Sequence, residues 1–167
     1  QIGQAASSSC SAVSSFSSMA PAMCGIFFHL STQDDEQTLF SDEIFEFIEN
    51  RGPSSKGNYL VSDDSWKLRF FSSVLHLRGE SSVAQPYITS TDDVLMWNGE
   101  IFGGINLKQE ENDTAVLASR LSHVTSDDAL FLEVFEQIQG PYAFVFYQKK
   151  AKKVWFGRDY LGRRSLL

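Results

Sequence analysis

Cys24 is the residue in this chain best suited to nucleophilic chemistry. It lies in MCGIFFHL, an apolar run with the length of a β-strand. A thiol is the strongest nucleophile among the side chains, and an N-terminal α-amine with a pKa of about 8 can serve as its base near neutral pH. If Cys24 were the first residue, nucleophile and base would belong to one residue. The alternative is a buried structural thiol at the start of a strand.

The three histidines offer other bases for this thiol. His29 lies on the same predicted strand, which would carry its ring roughly 15 Å from Cys24. His76 and His123 are not excluded by spacing, although a surface or core histidine is the commoner outcome for each.

Asn98 and Gly99, in WNGEIF, form a second candidate element. Asn-Gly is a turn signal between strands, which favours a structural interpretation. The same pair can also supply a side-chain amide and a backbone N–H to a developing oxyanion, because glycine lets the backbone approach closely. From these residues alone, both interpretations stay open.

The elements that must position these residues are of mixed α and β type. Residues 34–50 predict an amphipathic helix that ends at Arg-Gly-Pro, residues 51–53. Its apolar face is predicted to consist of Phe40, Ile44, Phe47 and Ile48. Strand-like stretches follow: GNYLVSD, WKLRFFSSVLHL and VLMWNGEIF.

Two helices and a hairpin are predicted in the second half of the chain. Asn112, Asp113 and Thr114 offer an N-cap for AVLASRL, and Ser126-Asp127-Asp128 caps a helix that Gly140 ends. The apolar face of that helix is predicted to be Phe131, Val134, Phe135 and Ile138. YAFVFYQ and KKVWFGRD predict a closing hairpin. This order favours helices packed on antiparallel sheets over a βαβ nucleotide fold.

Composition excludes several function classes. The chain has 167 residues, enough for one domain, and a net charge of -7, which argues against a nucleic-acid or anionic-membrane surface. No stretch approaches the roughly 20 apolar residues of a membrane-spanning helix. No glycine-rich phosphate loop, C-x-x-C pair or histidine cluster supports a metal or a dinucleotide. Two cysteines make no disulfide framework, so we expect a reducing, cytoplasmic location.

Residues 1–22 differ in composition from the rest of the chain. They contain eight serines and no charged residue, which predicts a disordered Ser-rich leader. Residues 23–167 are then the folded domain.

Seven motifs occur in an order that resembles class II, or N-terminal-nucleophile, glutamine amidotransferase domains. They are MCGIFF, RGPSSKG, HLRGE followed by AQP, WNGEIF, ENDTAVL, QGPYAF and WFGRDYLGRRSLL. The resemblance covers residues 23–167 and implies an α+β fold, a four-layer αββα sandwich. It also implies a glutaminase reaction, in which the Cys24 thiolate attacks the side-chain amide of L-glutamine and ammonia and then glutamate are released. The free α-amine of Cys24 would be the base.

The resemblance also implies roles for individual residues. Asn98 and Gly99 match the oxyanion element and, with Cys24, would be catalytic. Gly99 and Glu100 fall in the substrate-binding motif. Arg51 matches a motif that shapes the site near the nucleophile. The local alternative for Arg51 is a favourable interaction with the C-terminal dipole of the preceding helix.

Arg78 and Asp113 match the residues that hold a free amino acid. Arg78 would bind the α-carboxylate through its planar guanidinium, and Asp113 the α-ammonium group. The competing interpretations are a solvated surface arginine and a helix N-cap aspartate.

The chain departs from the family pattern in three places. Ser54 stands where an acidic residue is common after Arg-Gly-Pro. A retained leader would acylate the amine that the mechanism needs. After GRRSLL, the family continues through its last strands into a synthetase domain with an ATP-binding Ser-Gly-Gly-x-Asp-Ser loop. Because no such loop occurs here, ATP and Mg are implied only for that absent domain, and no cofactor is expected in this one.

Two functions follow as hypotheses. In the first, the domain is a glutaminase that supplies ammonia to the synthetase domain of a longer, asparagine-synthetase-like protein. In the second, it is a catalytically silent binding or assembly module that keeps the fold. The expected partners are L-glutamine and the synthetase domain, with no nucleic acid and no membrane.

Overall fold

The computed structural model describes residues 23–32, 42–124 and 127–166. The predicted leader, Phe40 and Ser126 lie outside the described residues.

The described residues form seven strands and three helices. In chain order they are β1 (Gly25–Thr32), α1 (Asp42–Glu49), β2 (Ser55–Ser62), β3 (Trp66–Val74), β4 (Tyr87–Ile88), β5 (Val94–Gly99), α2 (Asp113–His123), α3 (Asp128–Gln137), β6 (Tyr142–Gln148) and β7 (Lys153–Arg158). None of these helices is long and apolar enough to cross a membrane.

The strands make two sheets, and every pair of neighbouring strands is antiparallel. The first sheet has the order β1-β3-β2, and the second has the order β4-β5-β6-β7. β6 and β7 form the closing hairpin that the sequence predicts. The register places Gly25, the first residue of β1, opposite Ser73 near the end of β3.

Apolar side chains of both sheets meet between them. Ile26, Leu68 and Phe70 from the first sheet pack with residues of β5 and β6: Val94, Met96, Ala143, Val145 and Tyr147. Phe70 is fully buried, and its ring contacts those of Phe28 and Tyr147. Side chains on successive strand residues point to opposite faces, so each sheet has a second face left to cover.

Helices cover those outer faces. α2 and α3 pack on the second sheet, where Phe131 contacts the rings of Phe146 and Trp155. On the first sheet, Phe45 of α1 contacts Phe27 and Phe71. The order of layers is helix, sheet, sheet, helix, which confirms the predicted α+β sandwich.

One part of the α1 prediction is wrong. Phe47, placed by its spacing on the apolar face, is 76% exposed, whereas Ile48 is buried and Phe45 packs on the sheet. Phe45 and Phe47 flank the same helical face, and the sequence pattern does not distinguish them. The position of the sheet selects Phe45.

Two phenylalanine truncations test this assignment. Phe70→Ala removes a ring from between the sheets and should lower the free energy of unfolding by about 3–5 kcal/mol. Phe47→Ala, the matched control, should change it by less than about 0.5 kcal/mol. Urea unfolding followed by circular dichroism measures both, and comparable losses in the two variants would contradict the layer arrangement.

Candidate active site

Cys24 immediately precedes β1 and is held at the end of β3. Its Sγ accepts a hydrogen bond from Leu75 N at 3.3 Å and lies 3.6 Å from Leu75 O, to which the thiol can donate. The next residue must be small, because a Cβ on Gly25 would come within 2.7 Å of both the Ile48 side chain and Ser73 Oγ. The nucleophile candidate is therefore fixed by close packing of β1 on β3 and α1.

The surroundings of the thiol favour its neutral form. Burial raises the pKa of Cys24, and the negative charge of Asp113 adds to this effect. The Leu75 N–H and the positive charge of Arg164 act in the opposite direction, but the net shift is upward. A base is therefore needed to make the thiolate at neutral pH.

Five of the predicted site residues line one cleft. They are Cys24, Arg78, Gly99, Glu100 and Asp113. The other two, Arg51 and Asn98, lie beside it and contact residues described below. Residues far apart along the chain thus meet where β1 begins and β3 and β5 end.

Asn98 and Gly99 do not form a turn. They are the last two residues of β5 and pair with Ala143 and Tyr142 of β6. The turn interpretation is wrong, because both residues belong to a central strand of the sheet. The Asn98 side chain is 2% exposed, and its Nδ2 donates to Ser165 O at 3.4 Å.

The Gly99 N–H points away from β6 and towards the cleft. Trp97 N donates to Gln85 Oε1 on the edge of β5 opposite β6, whereas Glu100 N donates to Pro141 O on the β6 side. Backbone N–H groups alternate along a strand, so Gly99 shares the direction of Trp97. A Cβ at this position would also come within 2.7 Å of Pro141 O, and the site therefore requires glycine.

Gln85 positions this edge of β5, a role that sequence reasoning missed. Its side-chain amide, 3% exposed, accepts from Trp97 N at 2.6 Å and donates to Trp97 O at 3.0 Å and Thr114 Oγ1 at 3.3 Å. The Gln85 side chain therefore makes the hydrogen bonds with the Trp97 backbone that a neighbouring strand would otherwise make. The only signal was its place in the motif AQP.

Asp113 is buried and is not the N-cap of α2. Asn112 is the N-cap, and its side chain accepts from Thr114 N at 2.9 Å. Asp113, the first residue of the helix, also accepts from Thr114 N and takes a hydrogen bond from Trp97 Nε1 at 3.3 Å. Burial raises the pKa of Asp113, although these bonds and the charge of Arg78 oppose the shift. The N-cap interpretation therefore applies to Asn112 and is wrong for Asp113.

Arg78 is oriented by backbone carbonyls at the rim of the cleft. One terminal nitrogen donates to Ile101 O at 2.9 Å and the other lies 3.5 Å from Lys108 O. Asn112 Nδ2 donates to Arg78 O at 3.1 Å, which ties this segment to α2. The half-buried, anchored guanidinium differs from the solvated surface arginine that the sequence left open.

Arg51 links Cys24 to the end of the described chain. Its Nε donates to Cys24 O at 3.4 Å, and a terminal nitrogen donates to Ser165 Oγ at 2.7 Å. These contacts place Arg51 beside Cys24. In the same region, Arg164 forms an ion pair with Glu100 at 2.9 Å and donates to Met23 Sδ at 2.7 Å. Sequence reasoning missed the roles of Arg164 and Ser165, although both lie in the motif GRRSLL.

The histidines are placed differently from one another. His76 lines the cleft, but its Nε2 lies 3.0 Å from Arg78 O and 3.1 Å from Gly79 O. Its backbone N–H donates to Ser54 Oγ, so the serine that replaces an acid holds this loop. His29 of β1 lies opposite Arg69 of β3, and His123 Nδ1 contacts Ser119 O within α2.

Comparison with known proteins identifies the family. Residues 23–167 match the glutamine amidotransferase domain. The chain belongs to this family.

Several longer proteins contain a similar glutamine amidotransferase domain. Human asparagine synthetase domain-containing protein 1 is 41% identical over 147 residues, which are 87% of this chain and 22% of the human protein. The chicken protein of that name is 40% identical, covering 87% of this chain and 23% of its own length. An asparagine synthetase domain-containing protein of Saccharomyces cerevisiae is 31% identical, covering 85% and 26%. The chain thus spans about a quarter or less of these relatives. No solved structure matches it.

The described part of this glutamine amidotransferase domain contains no candidate metal site. Within residues 23–32, 42–124 and 127–166, no group of three or more His, Cys, Asp or Glu side chains could hold a metal ion.

Asp113 and Asp159 are both buried, and we expect their contributions to the free energy of unfolding to change with pH in opposite directions. Burial raises the pKa of Asp113, so its charged form destabilises the fold once pH exceeds the usual aspartate value of about 3.9. Burial acts in the same sense on Asp159, but hydrogen bonds from Tyr142, Leu161 and Arg163 lower its pKa overall, so its charged form stabilises the fold.

We therefore expect Asp113→Asn to gain stability relative to wild type as pH rises from about 3 to 7, and Asp159→Asn to lose it over the same range. Urea unfolding at several pH values measures the free-energy differences. Parallel pH dependences for the two variants would show that one of these carboxylates is not in the environment described.

Proposed function

We propose that this domain is a glutaminase, which hydrolyses L-glutamine to glutamate and ammonia. The observation that carries the proposal is the shared cleft. A thiol, a strand-end glycine N–H, an anchored guanidinium and two acidic side chains come together there from separate parts of the chain. This set combines a nucleophile, an oxyanion donor and charges for a free amino acid.

Cys24 would act as the nucleophile. Its thiolate attacks the side-chain carbonyl carbon of glutamine and forms a tetrahedral intermediate. Collapse of the intermediate expels ammonia and leaves a γ-glutamyl thioester, which water hydrolyses to glutamate and the free thiol. Because burial keeps the thiol neutral, a base must accept its proton before or during attack.

The α-amine of Cys24 is the base in this proposal. It exists only when Cys24 is N-terminal, because an amide nitrogen inside a chain is not basic. With Met23 attached, Met23 N donates to Arg51 O at 3.0 Å, and the nitrogen of Cys24 belongs to a peptide bond. Removal of Met23 and the residues before it would therefore activate the site.

Gly99 and Asn98 would stabilise the oxyanion. The Gly99 N–H points towards the cleft, and the Asn98 amide carries two N–H groups, of which one can donate to Ser165 O. In this proposal that bond orients the amide, and the second N–H donates to the intermediate. Donors fixed before the reaction stabilise developing charge without reorganisation.

Charged side chains of the cleft would select a free amino acid. The Arg78 guanidinium suits the α-carboxylate, while Asp113 and Glu100 suit the α-ammonium group. A buried carboxylate such as Asp113 destabilises the empty site and is compensated when a cation binds beside it.

The ammonia would serve a synthetase domain of a longer protein. The names of the relatives include an asparagine synthetase domain, and this chain covers only about a quarter or less of their length. We infer asparagine-synthetase-like amide transfer in such a protein, with ATP and Mg used by the synthetase domain and none of them by this one. A cytoplasmic location agrees with the free thiol chemistry.

A second function fits the chain while Met23 remains attached. In that covalent state Met23 contacts both Arg51 and Arg164, and the site lacks its base. The domain would then act as a binding or assembly module that retains the fold and does not turn over glutamine.

The position of Cys24 gives the first test. A chain expressed from Met23, with its initiator removed, should release ammonia from glutamine, whereas its Cys24→Ala variant should show none. The chain that keeps residues 1–23 is the matched control and should be inactive, because its Cys24 nitrogen is an amide. Coupled ammonia assays and intact mass establish activity and the N-terminus together. Activity in the chain with its leader would contradict the proposed base.

The oxyanion donors give a second test in the active chain. Asn98→Ala should lower kcat about 100- to 1000-fold with a smaller change in KM, because the amide acts mainly in the transition state. Asn58→Ala, at an exposed position of β2, is the control and should leave both parameters unchanged. An effect of Asn98→Ala on KM alone would assign the residue to substrate binding instead.

A further inference from the structure

The turn that follows β7 is fixed by a buried carboxylate. Asp159, 7% exposed, accepts hydrogen bonds from Tyr142 N, Leu161 N and both the backbone and Nε of Arg163. Arg163 also donates to Gly140 O at 2.9 Å. The turn is thereby tied to β6 and to the segment before it. These hydrogen bonds fix the position of the residue that follows the turn.

That residue is Arg164, and it lies against the candidate active site. One terminal nitrogen pairs with Glu100 Oε1 at 2.9 Å, and the other donates to Met23 Sδ at 2.7 Å. Its side chain is only 17% exposed, and its Nε is buried without a partner among the described residues. A buried N–H that lacks a partner costs free energy. This cost offsets part of what the two hydrogen bonds of Arg164 contribute, so those bonds alone do not explain why Arg164 is placed beside the site.

Charged and titratable groups approach the Cys24 thiol from every neighbouring element. They are Arg51 after α1, His76 and Arg78 after β3, Glu100 after β5, Asp113 at the start of α2, and Arg164 after β7. Arg51 contacts the Cys24 carbonyl and Arg78 is anchored at the rim. Burial is the main influence that raises the pKa of the thiol, Asp113 adds to it, and Arg164 lowers it.

We propose that Arg164 is a positioning residue of this site, which fixes the Glu100 carboxylate and keeps a positive charge against Met23, the residue next to Cys24. The inference rests on the proposed function, because it takes Cys24 as the nucleophile. Arg164 is not itself a lining residue of the cleft, but it contacts the lining residue Glu100. It acts through Glu100 and through its charge.

The state of Met23 bears on this role. While Met23 is present, its thioether accepts a hydrogen bond from Arg164. A thioether is a weak acceptor and carries no charge, so it holds the guanidinium without neutralising it. Removal of Met23 frees that N–H and leaves the pair with Glu100 as the anchor.

The pH dependence of Cys24 alkylation tests the charge effect in the full chain. Iodoacetamide reacts with the thiolate, and peptide mass spectrometry separates Cys24 from Cys10, which serves as an internal reference. The midpoint pH reports thiolate formation, and the plateau at high pH reports access to the thiol. Arg164→Met should raise the Cys24 midpoint and slow its alkylation at pH 7.5 by about three- to tenfold, with Cys10 unchanged.

Two further variants separate charge from packing. Arg164→Lys keeps the positive charge and should restore most of the wild-type midpoint. Arg158→Met removes an exposed arginine at the end of β7 and should leave the midpoint unchanged. A wild-type midpoint in folded Arg164→Met would overturn the proposal, as would a shift of equal size in Arg158→Met. If Arg164→Met does not fold by circular dichroism, Arg164→Gln replaces it under the same criterion.

Kinetics in the active chain test the contact with Glu100. Arg164→Met should raise KM for glutamine more than Arg164→Lys does, because the carboxylate loses its fixed partner. If wild type hydrolyses no glutamine, the proposed function fails, and the alkylation midpoints still decide whether Arg164 acts on Cys24. If wild type is active and Arg164→Met matches it in midpoint and KM, only the role of Arg164 fails.

Discussion

Face-to-face packing of the two sheets is the constraint on which the site depends. Ile26 of β1 and Met96 of β5 belong to the same buried cluster between the sheets. Cys24 lies two residues before Ile26, and Asn98 lies two residues after Met96. Side chains two residues apart on a strand point to the same face of the sheet. Because Ile26 and Met96 meet between the sheets, Cys24 and Asn98 come to the same end of the sandwich. The inter-sheet core thus places the nucleophile candidate near the oxyanion candidates.

Close backbone packing completes this arrangement. Gly25 allows β1 to approach Ile48, and Gly99 allows β5 to approach Pro141. On the edge of β5 away from β6, the Gln85 side chain forms the hydrogen bonds with the Trp97 backbone, because β4 pairs only with Val94 and Leu95. These residues carry no reactive group, yet they decide where the reactive groups lie.

The cleft holds acidic groups in an environment that disfavours their charged forms. Burial raises the pKa of both Cys24 and Asp113, which makes their charged forms unfavourable in the empty site. Arginines from three separate segments, Arg51, Arg78 and Arg164, surround these acidic groups. A buried acid that costs stability is commonly retained for function, and Asp113 lines the cleft that also holds Cys24.

Local sequence determined most of the secondary structure of the described residues. The caps at Asn112 and Asp127 and the apolar spacing of α2 and α3 act within a few residues, so helices could be predicted from them. The order of strands and helices predicted the layered class. The resemblance to amidotransferases supplied the candidate residues, and five of them line one cleft.

Tertiary structure decided what local patterns left open. Phe45 packs in place of Phe47, Asn98-Gly99 extends a strand and makes no turn, and Asn112 caps the helix that Asp113 begins. The contacts of Gln85 with Trp97 and of Arg164 with Glu100 also join residues distant in the chain. Sequence spacing encodes periodicity and capping within an element, whereas these outcomes depend on which surface another element presents, and only the packed sheets supply that surface.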